Sequence, residues 1–72
     1  MTSIATLGDQ EVGKVLEFND AQIACKLMAM GVLPGSTVKV MRKSPLGGAF
    51  YLKVNGHAMA LRVNEAAAVI VE

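Results

Sequence analysis

The sequence predicts a mainly β fold: a small antiparallel barrel of SH3-like type, about five strands, with one α-helix at about residues 20–30. Three observations predict it. Asn55-Gly56 lies between two apolar runs, the strongest short-range hairpin signal, because both residues tolerate positive φ. One stretch alone carries helical spacing, with a capping side chain before it and a glycine after it. The remaining apolar runs are short, β-prone and bounded by turn residues. So few short strands cover a core only by bending strongly into a barrel, which also removes sheet edges that invite aggregation.

The elements follow in order. Residues 1–11 hold Asp9, Gln10 and Glu11 and lead into the first strand. That strand is Lys14-Val15-Leu16-Glu17-Phe18, with Gly13 marking a turn or bulge before it. Asn19 and Asp20 offer a helix N-cap, whose side chain accepts from a free N–H of the first turn. Ile23, Leu27 and Met30 then share a helical stripe, with Ala24 and Met28 beside it. Gly31 ends the helix and Pro34-Gly35 turns the chain. Thr37 to Arg42 is a strand, Ser44 to Gly48 a loop, Ala49 to Val54 a strand and His57 to Arg62 its return. A two-residue turn fixes the register: Val54 faces His57, Leu52 faces Met59 and Phe50 faces Leu61 on the core side. Asn64-Glu65-Ala66 makes one helical turn, and Ala68 to Val71 closes as the last strand.

Seventy-two residues make one domain with a thin core, since a chain this short buries only about 60% of its unfolded surface. Hydrophobic residues make up 53% of it, well above a disordered composition. Cys25 is the only cysteine, so an intrachain disulfide is excluded and a reducing compartment is expected. The N-terminal residues carry no targeting pattern, and Leu27 to Pro34 falls far below the ~20 apolar residues that cross a bilayer. The expected location is the cytoplasm. A net charge of +1 predicts no strong pull toward nucleic acid or anionic lipid.

Four sets of residues bear on chemistry. Gly8 to Lys14 has the spacing of a phosphate-binding P-loop, but Val15 stands where Ser or Thr should hold Mg²⁺. Asp9 and Glu11 would repel phosphate there, and a strand follows where a helix should begin. Cys25 and His57 are the only soft or borderline metal ligands, fewer than the three or four a tight site needs, and the carboxylates are scattered. No metal or cofactor is therefore expected, although a weak or shared site between subunits stays open. The same pair lacks an orienting third group, and the chain is too short to enclose a pocket of about 300 Å³ beside its core. An enzyme is not expected. His57 is expected to pack its ring at the core rim. Lys39, Arg42, Lys43, Lys53 and Arg62 form a basic set, yet only Phe18, Phe50 and Tyr51 are aromatic, too few for a stacking platform.

Met28, Met30, Met41, Leu33 and Leu46 are more informative. The helix needs one stripe for its core, which leaves Met28 and the turn residues Leu33 and Leu46 for the surface. Exposed apolar patches mark interaction sites and methionine adapts to a partner. The same residues also suffice to finish the core of so small a domain. The expected partner surface is Met28, Leu33, Pro34, Pro45 and Leu46.

Several of these residues carry a resemblance. Lys26-Leu27 followed by Met30-Gly31-Val32-Leu33-Pro34-Gly35 resembles the helix end and turn of the FeoA family. Ser44-Pro45-Leu46-Gly47-Gly48 is similar to that family's Ala-Pro-Leu-Gly-Asp loop. Ala60-Leu61-Arg62, Glu65-Ala66 and Val69-Ile70-Val71 resemble its closing segment. Lys26 stands where arginine is common and Gly48 where aspartate is common, and lysine cannot form a bidentate guanidinium pair. The resemblance spans roughly residues 7 to 72. It implies an SH3-like barrel and a cytosolic partner of the ferrous iron transporter FeoB, which carries a GTP-binding domain. Related domains also occur fused to FeoB and at the C-terminus of metal-dependent repressors; the stand-alone form fits this sequence better. Membrane contact would then come only through the partner, no nucleic acid is expected, and a homo-oligomer stays open. The alternative is a small Fe(II)-binding carrier or sensor.

Overall fold

The computed structural model describes residues 2–72. Its elements are β1 (Thr2–Ser3), a 3-10 turn (Ile4–Thr6), β2 (Val12–Phe18), α1 (Ala21–Ala29), β3 (Thr37–Lys43), β4 (Ala49–Val54), β5 (His57–Arg62), α2 (Val63–Ala67) and β6 (Val69–Val71). The strands form one antiparallel sheet in the order β1-β6-β2-β3-β4-β5. It is a mainly β fold with an inserted helix, as the sequence predicts.

The β4–β5 hairpin is set by its two-residue turn. Asn55 at φ 49° and Gly56 at φ 87° make the turn. Val54 then pairs with His57, Leu52 with Met59 and Phe50 with Leu61. Phe50, Leu52, Val54 and Leu61 are buried in one core with Val15, Leu27, Val38, Val40, Val69 and Val71, and Met59 packs against it half-buried. His57 departs from expectation. Its ring is exposed rather than set at the core rim. A polar ring beside a turn loses hydration by tucking in and gains no partner for it.

Helix α1 starts where Asp20 Oδ1 accepts the N–H groups of Gln22 and Ile23 at 2.9 and 3.0 Å. It buries Leu27 and Ala24, with Ile23 half-buried. Met30, which helical spacing places in that stripe, is instead 42% exposed. It sits at the C-cap, where the helix has already ended. Gly31, at φ 98°, reverses the chain, and Val32 turns inward in place of Met30 with its N–H on Leu27 O at 2.9 Å.

Three further differences come from long-range contacts. Thr2 and Ser3 pair with Val71 and Ile70, so the start of the chain is a sixth strand rather than a polar lead-in, and Ile4 behind it is fully buried. Gly13 lies inside β2, not before it; a Cβ there would sit 3.0 Å from Val71 Cβ, so its smallness serves the close approach of β6. The ladder does not close. β1 and β5 remain edges, because bulges at Val15/Glu17 and Val40/Arg42 bend the sheet around the core without joining its ends.

Candidate docking surfaces

The turn after α1 is pinned from several sides. Ser36, itself buried, donates its N–H to Leu33 O at 2.9 Å, and its Oγ accepts the Leu33 N–H at 3.1 Å. Gly35 donates to Val15 O at 2.7 Å, and the Asn55 amide donates to Ser36 Oγ at 3.4 Å. Val32 anchors the turn in the core. With the backbone so held, Leu33 at 48% exposure and the exposed Pro34 are displayed next to Met28, 41% exposed on the helix, and Met30.

The loop between β3 and β4 is built from its own atoms. Ser44 donates its N–H to Ala49 O, Gly47 donates to Ser44 O, and the Leu46 N–H reaches Ser44 Oγ. Gly47 takes φ 74°. These bonds hold Leu46 at the tip, 96% exposed, with Pro45 beside it. Leaving a leucine in water forgoes about 1.5–3 kcal/mol of burial.

The five residues singled out in the sequence therefore make two clusters, not one patch. Met28, Leu33 and Pro34 lie at the entry to β3; Pro45 and Leu46 lie at its exit. The strand between them is roughly 20 Å long at about 3.3 Å per residue. Other exposed apolar side chains were not singled out by sequence: Val12 at 57%, Leu16 at 43% and Val63 at 40%. Alternation with buried Val15 would place Leu16 outward, but not say that it remains uncovered, and Val63 opens α2, where alternation does not apply.

One ion pair joins the helices. Glu65 is buried, and Lys26 of α1 donates to its Oε2. The Arg62 backbone N–H donates to Oε1 at 2.8 Å. The hydrogen bond from Lys26, then that from Arg62, hold the carboxyl below its ordinary value, against the opposing effect of burial. Lys26 reaches this carboxylate through one oxygen, Oε2.

Cys25 is exposed on α1 and His57 is exposed at the start of β5. Among the described residues no three of His, Cys, Asp and Glu gather to hold a metal, and no pocket opens. No helix among them is long and apolar enough to cross a membrane.

Comparison with known proteins gives a consistent picture. The model of the FeoA domain matches residues 2–72. No curated protein matches. Among solved structures, a FeoA-like protein from Clostridium acetobutylicum superposes with a TM-score of 0.90 at 26% identity, covering 100% of this chain and 88% of that one. FeoA from Stenotrophomonas maltophilia, a prokaryotic SH3 domain protein complexed with zinc, gives a TM-score of 0.81 at 29% identity, covering 100% and 91%. A manganese-dependent transcriptional repressor shares the fold at a TM-score of 0.90 and 20% identity, over 99% of this chain and 35% of its own.

Proposed function

The chain belongs to the FeoA family, and from that premise we propose that it serves bacterial ferrous iron uptake as a non-enzymatic accessory protein. Its partner is the cytosolic GTP-binding part of a FeoB-type transporter, and it works on the cytoplasmic side of the membrane. A relative of 25% identity is described as an iron uptake regulatory protein, which supports the iron-transport reading. The observation that carries the docking reading is Leu46, held at a loop tip by local hydrogen bonds and 96% exposed. A loop whose backbone is already held presents an apolar side chain to a partner's pocket with less ordering cost than a mobile loop would add. Regulation follows only if the chain binds two states of the transporter domain with different affinity.

Because the exposed residues fall into two clusters, the test separates them. Calorimetry of the purified chain against the purified transporter domain is run with GDP and with a GTP analogue. Leu46→Asp is expected to weaken binding about thirtyfold or more, the range of an interface hot spot. Leu33→Asp tests the Met28-Leu33-Pro34 cluster in the same way. Circular dichroism checks that both variants fold. Absence of wild-type binding in either nucleotide state removes the proposed partner, and unchanged affinity for one variant removes its cluster from the surface.

A further inference from the structure

The charges of this chain are segregated along its sequence and over its surface. All six Asp and Glu residues lie outside residues 37–62, and five of the seven Lys and Arg lie within them. Strand pairing gathers most of those cations on one face. Lys39 of β3 is directly opposite Lys53 of β4, with Val12 of β2 and Ala58 of β5 completing that row. Arg42 is opposite Tyr51, with Ala60 beyond it, and Arg62 follows opposite Ala49. Lys14 of β2 extends the face opposite Thr37. The Arg42 guanidinium lies 4.9 Å from the centre of the Tyr51 ring.

Among the described residues no carboxylate is ion-paired with this face. The one ion pair among them is Lys26 with Glu65, and Arg62 meets that carboxylate through its backbone N–H rather than its guanidinium. The acids at its margins are engaged or terminal: Glu65, beside Arg62, takes the Lys26 ammonium, Glu11, on the loop beside Val40, turns its carboxylate to the Gly8 N–H, and Glu72 meets Lys14 through its backbone N–H alone. Like charges directly opposite on adjacent strands weaken a sheet. Lys39 against Lys53 is thus a cost within the isolated fold, offset once an anionic surface lies over both.

We infer that the outward face of β2 to β5 is a docking surface for an acidic, Asp- and Glu-rich surface of a protein partner. The inference rests on the proposed function and names the chemistry of the partner's contact. The face suits a protein rather than single-stranded nucleic acid. Tyr51, already covered by Arg42, is its only aromatic, so successive bases find no platform. Alanines 49, 58 and 60 keep the ground between the cations low, which lets another folded surface approach closely. β3 also runs from the Leu33-Pro34 turn to the Pro45-Leu46 loop, so a partner lying along it meets Lys39 and Arg42 in the middle and an apolar contact at each end.

The test is one substitution, Lys53→Glu. It reverses a charge on the face and places a carboxylate opposite Lys39, so the melting temperature should hold or rise. Affinity for the transporter's GTP-binding domain should fall about tenfold at low salt, and its decline with added salt should become shallower. A merely structural lysine would not lose binding while keeping stability. Binding that is as tight for the variant as for the wild type overturns this surface and leaves the partner standing. No wild-type binding to that domain overturns both. Unchanged binding to the domain, with lost binding to a single-stranded oligonucleotide or to phosphatidylglycerol vesicles, assigns the face elsewhere and equally overturns the inference.

Discussion

Glu65 shows how much one side chain settles in a domain of this size. It is buried between α1 and α2, and its two oxygens take a proton donor from each side: the Lys26 ammonium and the Arg62 N–H. A buried carboxylate left unpaired costs far more than the net worth of its pair. Lys26 is itself largely exposed, which dilutes the interaction through solvent screening. Lys26→Ala is expected to cost about 1–2 kcal/mol at pH 7 in urea unfolding. The pH dependence has a definite sign. The folded-state proton affinity of Glu65 lies below the ordinary value of 4.5. Its contribution is therefore complete above that value and fades as pH falls through the lower folded one. The wild type should lose its advantage over Lys26→Ala in that acidic range, and a constant difference down to pH 2.5 or so would contradict the assignment.

Elements that depend on local chemistry were legible in the sequence, and those that depend on distant partners were not. Asp20, Gly31, Asn55 and Gly56 each dictate a backbone conformation within a few residues, so the helix, the hairpin and its whole register could be read directly. β1 could not. Two residues have no period, and only β6, nearly seventy positions away, makes them a strand. Met30 was misplaced because spacing does not reveal that a helix ends one residue early. At the candidate surface, the exposure of Leu46 and Leu33 followed from counting what the core did not need. Their separation did not, because it is set by the length of β3 between them. The hairpin carries the element-scale prediction. Gly56 holds φ 87°, where a side chain is strained, so Gly56→Ala should cost about 1 kcal/mol. Thermal unfolding should then fall by about 4–8 °C. A melting point within a degree or so of wild type would mean that the turn does not need its glycine.

Across the whole molecule, charge and fold are arranged along different lines. The bent sheet spreads its core through every strand from β2 to β6, with Ile4 plugged in behind β1. The cations instead gather on the outward side of its middle strands, and only Arg62, at the end of β5, touches the Lys26–Glu65 pair that ties the helices. Changes on the basic face should thus alter recognition with little effect on folding, whereas changes at Gly13 or Glu65 should do the reverse.

The pairing of Thr2 with Val71 has a practical corollary. Residues facing each other across two strands are about 5 Å apart, so a short peptide can join them. A circular permutant that links those positions and opens the backbone between Gly47 and Gly48 should fold, because every strand contact survives the recut. It should melt near the wild-type temperature while losing whatever the Leu46 tip contributes to recognition. The same seam that lets the bent sheet be rewired also lets the domain ride on a loop of a larger host without unravelling either.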